Sequence, residues 1–285
     1  MLPEKHILYL DILGFCELAK TPARALDLYQ IINGLLVHQH HAFRCFVFSD
    51  TLLVYNIFDP KTAHDRQYCV MYLAEFAQDL LYRVIGREYY FRAILTKSEF
   101  LHQHFDNLEA FFGQALINSY RDEKTLIGCG LLMDSALLPD NRIFPTIWHC
   151  GRYHYVFLTQ DIQRASEYGR GGFPFSGEIL DSARLNFPMY AQLFFLKDVY
   201  LKSIHSPDPK VRAKFQATWT FYHQEFRALC DTWLSSGFDY AAIADADWEA
   251  ARQGFESELK SEPFKYDANR ARRPGPAAVS SEERS

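Results

Sequence analysis

The stretch that decides the fold is HILYLDILGF, residues 6–15, an apolar run that contains one carboxylate. Alternate side chains of a strand point to opposite faces. The run therefore divides into one face with Ile7, Tyr9 and Asp11 and another with Leu8, Leu10 and Ile12. Since both faces are mainly apolar, the pattern predicts a strand that is buried on both sides. Gly14 ends this strand, and Asp11 lies near its end.

Helix and strand patterns then follow one another along the first 160 residues. The predicted elements are a helix from Thr21 and Pro22 to about residue 37, strands at 42–48 and 51–57, a helix from Thr62 to Gly86, a strand at 88–101, a helix at 111–124, and strands at 126–133, 143–149 and 153–158. This order begins β-α-β-β-α. It predicts an α+β sandwich in which helices cover a mixed or antiparallel sheet.

The character of the sequence changes in its last hundred residues. Residues 187–262 carry three apolar helical patterns and predict a helical C-terminal appendage. We expect residues 161–186 to form a connector between this appendage and the α+β region. The last stretch, 263–285, has almost nothing to bury and is predicted to be disordered.

Composition narrows the classes of partner. The 30 basic and 35 acidic side chains leave a net charge of −5, so a nucleic-acid polymer is not expected as a partner. Six cysteines are spread out without a C-x-x-C pair, which indicates reduced thiols and a cytoplasmic location. No apolar run approaches the ~20 residues that a membrane span needs, so we expect a soluble protein without a membrane partner.

Two carboxylates are candidates for one metal site. Asp11 lies near the end of the first, buried strand, and Asp50 lies at the tip of the hairpin that should pair beside it. Two neighbouring carboxylates repel each other, and a divalent cation between them removes that conflict. Oxygen ligands without a local Cys/His set favour Mg²⁺ or Mn²⁺, and the turn ILGF at 12–15 offers N–H groups to a phosphate. The alternative is that Asp50 is an ordinary turn residue and Asp11 a helix-entry cap.

Four segments together resemble a known family. They are LDILGF at 10–15, FSDT at 48–51, FRAILT at 91–96 and FGQALINSYRDE at 112–123. Their order and approximate spacing resemble the class III nucleotide cyclase homology domain, and most of all the pyrimidine nucleotide cyclases of bacterial Pycsar antiphage systems. The resemblance covers roughly residues 4–160. It implies a catalytic domain at 1–160 with the ferredoxin-like cyclase sandwich.

The resemblance implies a reaction and a set of site residues. In such cyclases a ribose 3′-hydroxyl attacks the α-phosphorus of its own nucleoside triphosphate and releases pyrophosphate, and two Mn²⁺ or Mg²⁺ ions assist. The implied metal ligands are Asp11, Asp50 and the carbonyl of Ile12; the implied substrate-binding residues are Phe15, Phe46, Thr51 and Arg92; and the implied catalytic residues are Arg121 and Asn118. The alternatives are that Arg92 is a strand-edge arginine paired with a surface carboxylate and that Arg121 is a solvated helix arginine.

The sequence departs from the family pattern at the base-reading positions and on one helix. Phe46 and Ala110 replace the lysine and aspartate that read adenine in adenylate cyclases, which favours UTP first and CTP second as substrate. The alternative is that Phe46 is simply core. The family asparagine is replaced by Ile117, and Asn118, one step along, would have to substitute for it.

The resemblance also implies partners and leaves other functions open. It implies a head-to-tail homodimer in which one protomer supplies the aspartates and the other the helix arginine, and a cyclic nucleotide product that activates an effector protein. A nucleotide-binding sensor that has lost catalysis is one alternative, and a structural interaction protein that uses the helices at 187–260 is another. Neither the histidines at 38–41 nor HQH at 102–104 is predicted to bind a metal, because no carboxylate falls at ligand spacing beside them in the sequence.

Overall fold

The structure is a computed structural model that describes residues 2–183 and 185–260. The strands are β1 (Glu4–Ile12), β2 (Phe43–Phe48), β3 (Thr51–Asn56), β4 (Phe91–Glu99), β5 (Leu101–His104), β6 (Glu109–Phe112), β7 (Gly130–Asp134), β8 (Thr146–Cys150), β9 (Tyr153–Val156), β10 (Phe175–Ser176) and β11 (Ala244–Asp245). The α-helices are α1 (Phe15–Leu18), α2 (Pro22–Asn33), α3 (Ala63–Val84), α4 (Gln114–Glu123), α5 (Gln160–Tyr168), α6 (Glu178–Ala183), α7 (Asn186–His205), α8 (Pro209–Glu225), α9 (Arg227–Ser235) and α10 (Trp248–Lys260). The predicted disordered tail, 263–285, lies outside the described residues.

A seven-stranded sheet forms the centre, in the order β2-β3-β1-β4-β7-β9-β8. All neighbours are antiparallel except β4 and β7, which are parallel. Strand β1 is inside this sheet, and Ile7 and Leu8, on its opposite faces, are both completely buried. The α+β class, the mixed sheet, the doubly buried first strand and the helical C-terminal region are thus confirmed.

Helix α3 covers one face of the sheet, and local interactions at its two ends explain why it matches the helix predicted from Thr62 to Gly86. Thr62 accepts from the N–H of Asp65, whose carboxylate accepts from the N–H of Thr62, so the helix starts with a reciprocal capping box. Gly86, just beyond its end, has a φ of 78°. At the start of α2, by contrast, the Thr21 side chain makes no capping hydrogen bond.

The strand predicted at 88–101 is divided in the structure. Strand β4 ends at Glu99, and β5 then pairs with β6 in a separate two-stranded hairpin that the sequence patterns did not predict. Gly113 follows this hairpin with a φ of 146°, and a Cβ there would lie 2.3 Å from the carbonyl oxygen of Glu99. Only glycine permits this approach, which sets the start of α4 against the end of β4.

The C-terminal helices share the core of the α+β region. The hydroxyl of Thr218, on α8, accepts a hydrogen bond from the N–H of Cys129 (2.8 Å). The ring of Phe215, one turn earlier, packs edge-on against Tyr90 at 4.9 Å. Residues 161–186, expected as a connector, contain most of α5 together with β10 and α6. The division of the chain at residue 160 stays a prediction.

The search for membrane spans covered the residues that the structure describes. None of the helices among them has the length and apolar character that crossing a bilayer requires.

Candidate active site

Strand pairing brings the two predicted aspartates together. Asp11 is directly opposite Thr51 in the β1–β3 ladder, so it is next to the Ser49–Asp50 turn. The N–H of Ile12 donates to the carbonyl oxygen of Asp50 at 2.9 Å. Ser49 has a φ of 55°, which allows a two-residue turn between β2 and β3. This turn places Asp50 beside the end of the central strand.

The two carboxylates lie close enough to affect each other electrostatically. The pKa of Asp11 is raised to about 6, first by burial and then by the negative charge of Asp50. The charges of Arg92 and Lys214 act in the opposite direction but do not cancel these effects. Tyr9, two residues earlier on the same strand face, has its pKa raised by burial, with further contributions from both aspartates. The pair therefore concentrates negative charge in a partly desolvated place.

This arrangement fits a hard divalent cation. A positive ion between Asp11 and Asp50 would remove the repulsion that raises the pKa of Asp11, and carboxylate oxygens are the ligands that Mg²⁺ and Mn²⁺ prefer. Ile12, whose carbonyl is the third predicted ligand, is the last residue of β1 and so adjoins Asp11. The metal roles of Asp11, Ile12 and Asp50 remain predictions.

Arg92 lies on the other side of Asp11. It is opposite Asp11 in the β1–β4 ladder and is only 5% exposed, with Nη2 3.9 Å from the Asp11 carboxylate. Nη1 donates to the carbonyl oxygen of Leu126 at 2.7 Å, and Nη2 also donates to the carboxylate of Glu123 on α4. The guanidinium is thus buried rather than at a surface strand edge. Its Nε has no hydrogen-bond partner within residues 2–183 and 185–260.

Helix α8 brings a further cation to this place. Burial, and then the positive charge of Arg92, lower the pKa of Lys214, whereas the nearby Asp11 acts to raise it. Lys214 is partly buried, and in the described part of the chain its ammonium group has no ion pair or hydrogen bond. Sequence reasoning missed this residue, because only the tertiary packing of α8 against Cys129 and Tyr90 places it here.

The turn after β1 presents N–H groups, although fewer than the sequence predicted. The N–H groups of Ile12 and Leu13 are already bonded to the carbonyls of Asp50 and Tyr90. The next three, on Gly14, Phe15 and Cys16, have no acceptor among the residues that the structure describes. Gly14 has a φ of 74°, a conformation that favours glycine. The ring of Phe15 contacts Tyr29 at 6.2 Å.

Phe46 lies in an aromatic cluster on the sheet face that carries Asp11. It pairs with Leu53, which in turn pairs with Tyr9, so all three side chains share one face. Its ring packs edge-on against Phe111 at 4.6 Å and against His102 at 5.1 Å. Phe46 is only partly buried. It is therefore held by packing on one side and can still present a surface on the other.

Helix α4 carries the two predicted catalytic residues. The side chain of Arg121 is 66% exposed, and its Nη2 donates to Oδ1 of Asn118 at 3.1 Å. Asn118 also accepts from Gln114 at 2.8 Å, so these three polar side chains share one side of the helix. Within the described chain Arg121 has no hydrogen bond or ion pair with Asp11 or Asp50. The structure therefore brings Asp11, Asp50, Thr51 and Arg92 together, and it does not bring Arg121 to them.

Comparisons with known proteins give remote structural similarities only. No protein-family profile matches the sequence, and no curated protein matches it. The adenylyl cyclase CyaB from P. aeruginosa aligns with 55% of this chain and 95% of its own, at 12% identity and a TM-score of 0.41. The guanylyl cyclase domain of the RhoGC fusion protein from the fungus Blastocladiella emersonii aligns with 53% of this chain and 93% of its own, at 13% identity and a TM-score of 0.41. An adenylate/guanylate cyclase/hydrolase from Silicibacter pomeroyi aligns with 55% of this chain and 95% of its own, at 18% identity and a TM-score of 0.34.

The raised pKa of Asp11 predicts a pH dependence of stability. Its folded-state pKa of about 6 lies above the unfolded value of 3.8, so the folded state binds more protons between these limits. Stability contributed by this group is therefore present at pH 4 and is lost as the pH rises to 6. Without divalent cations, Asp11→Asn should raise the free energy of unfolding at pH 7.5 by about 1–3 kcal/mol and change it little at pH 4.

Urea denaturation at the two pH values, in EDTA, measures this difference. Adding Mg²⁺ at pH 7.5 should stabilise the wild type and leave Asp11→Asn unchanged, because only the wild type has the paired carboxylates. Asp27→Asn, a carboxylate on an exposed part of α2, is the control and should behave as the wild type. If Asp11→Asn were less stable than the wild type at pH 7.5 in EDTA, this would contradict the repulsion between Asp11 and Asp50.

Proposed function

We propose that this chain is a pyrimidine nucleotide cyclase that converts UTP to 3′,5′-cyclic UMP and pyrophosphate. The observation that carries the proposal is the meeting of Asp11 and Asp50 at the end of the central strand, beside a buried arginine and a turn with free N–H groups. These groups match the motifs whose resemblance to class III nucleotide cyclases implies the reaction. CTP is the second candidate substrate.

The reaction needs a bound triphosphate and a positioned ribose hydroxyl. Asp11, Asp50 and the carbonyl of Ile12 would hold two Mn²⁺ or Mg²⁺ ions. Bound ions of this kind acidify the 3′-hydroxyl and neutralise the triphosphate. The N–H groups of Phe15 and its neighbours, the Thr51 hydroxyl beside Asp50 and the cation of Arg92 would orient the phosphates.

The chemical step itself exchanges one phosphorus–oxygen bond for another. The ribose 3′-oxygen bonds to the α-phosphorus, the bond from that phosphorus to the pyrophosphate oxygen breaks, and the hydroxyl proton leaves to solvent. No covalent intermediate with the protein is needed. The side chains therefore contribute by positioning and by charge stabilisation.

The side chains at positions 46 and 110 support the preference for a pyrimidine. Neither Phe46 nor Ala110 has a side-chain hydrogen-bonding group, so these positions cannot pair with an adenine edge as lysine and aspartate do. The phenylalanine is also fixed by its contacts with Phe111 and His102, so its free surface can stack on a base. The order of UTP before CTP follows the family resemblance.

A product analysis tests the proposed reaction. The purified chain is incubated with each of the four ribonucleoside triphosphates and Mn²⁺, and we expect cyclic UMP and pyrophosphate from UTP. Asp50→Ala should lower the rate by about 100-fold or more, because it removes part of the charge that holds the ions. Asp59→Ala, which changes an exposed aspartate, is the control and should keep full activity. Turnover that persists in Asp50→Ala would refute the site.

A catalytically inactive nucleotide sensor is the second candidate, and one observation favours it. The guanidinium of Arg92 is already bonded to Glu123 and to the carbonyl of Leu126, so a triphosphate would have to share it with these groups. Titration calorimetry with UTP separates the two functions. Binding without release of pyrophosphate would favour the sensor, and binding with release would favour the enzyme.

A homodimer is proposed because α4, the helix with Arg121 and Asn118, has exposed apolar side chains. On α4, Ile117 is 60% and Tyr120 is 55% exposed, and Phe48, next to the Ser49–Asp50 turn, is 83% exposed. Exposed apolar groups around a site are typical of an interface. In a head-to-tail dimer, Arg121 and Asn118 of one protomer would face the aspartates of its partner.

Complementation between two inactive variants tests this arrangement. Asp50→Ala and Arg121→Ala should each be inactive alone. Mixed in equal amounts and allowed to exchange subunits, they should recover about a quarter of wild-type activity, since half the dimers are mixed and each mixed dimer has one intact site of two. No recovery, although mixed dimers form by native mass spectrometry, would place both residues in the same protomer's site.

Lys214 is proposed as a triphosphate contact from the C-terminal helices. Lys214→Gln should raise the KM for UTP about tenfold or more, since a hydrogen bond to a charged group contributes about 1.5–3 kcal/mol. Lys210→Gln, an exposed position one turn earlier on α8, is the matched control and should change KM little. Steady-state kinetics that show equal effects for the two variants would exclude a specific contact.

The wider role is proposed from the family resemblance alone. The cyclic nucleotide would be a second messenger made in the cytoplasm in response to phage, and it would activate an effector protein without direct contact between the two proteins.

A further inference from the structure

The hairpin formed by β5 and β6 carries a group of side chains that the proposed cyclase reaction does not use. His102 and His104 are two residues apart on β5, so their side chains point to the same face of the hairpin. Glu109, the first residue of β6, is directly opposite His104. One ligand atom from each of the three residues lies within 4.8 Å of the other two. Strand pairing thus supplies the carboxylate that the sequence order of the HQH segment does not show.

The three side chains already converge on one point. Nε2 of His102 is 3.3 Å from one carboxylate oxygen of Glu109, and Nδ1 of His104 is 3.0 Å from the other. Two imidazoles and one carboxylate form a donor set that is typical of zinc sites, in which a water molecule completes a tetrahedron. The set differs from the Asp11–Asp50 pair, whose hard oxygen ligands favour Mg²⁺ or Mn²⁺.

A neighbouring tyrosine orients the inner histidine. The hydroxyl of Tyr55 and Nδ1 of His102 are hydrogen-bonded at 2.7 Å, so Nδ1 is occupied and Nε2 faces Glu109. Nε2 is buried and has no hydrogen-bond partner among the described residues. A histidine whose second nitrogen is held by a hydrogen bond is the usual arrangement of a metal ligand, because that bond fixes the ring and the tautomer.

The packing around His102 leaves it little freedom. Its ring stacks on Phe111 with 4.4 Å between centroids and an angle of 18°, and its side chain is 11% exposed. By contrast, the side chains of His104 and Glu109 are 67% and 45% exposed. A preorganised inner ligand with two solvent-accessible outer ligands gives an ion a route from water and limits the ordering that binding requires.

From this geometry we propose that His102, His104 and Glu109 form a binding site for a transition-metal ion of the zinc type, separate from the predicted aspartate site. Bound Zn²⁺ would join β5 to β6 through one atom, which matters because an isolated two-stranded hairpin is only marginally stable. It would also hold His102 against Phe46, and so stiffen the aromatic cluster beneath the hairpin. The proposal does not depend on cyclase activity.

Metal binding to the full chain tests the proposal directly. The protein is stripped with a chelator, saturated with millimolar Mg²⁺ to occupy the aspartate pair, and titrated with Zn²⁺ by calorimetry. We expect one Zn²⁺ per chain, and an affinity at least tenfold lower in His104→Ala and in Glu109→Gln, each of which removes one of three ligands. Both positions are exposed, so the variants should fold, and circular dichroism verifies this.

Three further measurements make the assignment specific. Cu²⁺ bound in place of Zn²⁺ should give electron paramagnetic resonance spectra with coupling to two imidazole nitrogens in the wild type and to one in His104→Ala. His64→Ala, an exposed histidine on α3, should bind Zn²⁺ as the wild type does. The melting temperature should rise with Zn²⁺ in the wild type and not in Glu109→Gln.

Two kinds of result would overturn the proposal. The first is Zn²⁺ affinity that is unchanged in both His104→Ala and Glu109→Gln. The second is Zn²⁺ binding that is lost in Asp50→Ala, or in Cys16→Ser, the variant of the exposed free thiol, because the ion would then belong to the aspartate pair or to that thiol.

Discussion

The candidate site depends on the register of β1 between its two neighbours. Asp11 is opposite Thr51 on one side and Arg92 on the other, and a slip of one residue would turn it to the opposite face of the sheet. Burial prevents this slip. Leu8 and Leu10 are completely buried on the face that packs against the helices, so a slip would also place Tyr9 and Asp11 in that core. Apolar packing on one face therefore fixes the polar group on the other.

This arrangement places charge where folding alone would not favour it. Burial and Asp50 both raise the pKa of Asp11, and Arg92 is buried with its Nε unpaired within the described chain. Each of these features costs free energy. For Arg92, the carboxylates of Asp11 and Glu123 and the carbonyl oxygen of Leu126 offset part of this cost. Partly compensated charges of this kind are typical of a place where a charged ligand completes the pairing.

The sequence was sufficient where short-range patterns determine structure. The central strand, the hairpin around Asp50 and the capped helix from Thr62 follow from alternation, turn residues and a capping box, and they place the two aspartates side by side. Groups that meet only through long-range packing were not predicted. Lys214 comes from a helix about 200 residues after Asp11, and Glu109 reaches the histidines of β5 only through a hairpin that the sequence patterns did not predict. The bond from Arg92 to Glu123 depends on the placement of α4 by Gly113.

The two proposed metal sites belong to different sheets and have different chemistry. A layer of packed side chains lies between them, from His102 through Phe46 and Leu53 to Tyr9. Because side chains in such a layer are close-packed, a shift of the hairpin must be taken up by Phe46 and its neighbours rather than by empty space. Ligand type keeps the sites distinct, since imidazole selects zinc-type ions and paired carboxylates select magnesium-type ions. The hairpin and the aspartate pair therefore favour different kinds of ion, and this layer is the physical route by which an ion at the hairpin would affect the position of Phe46.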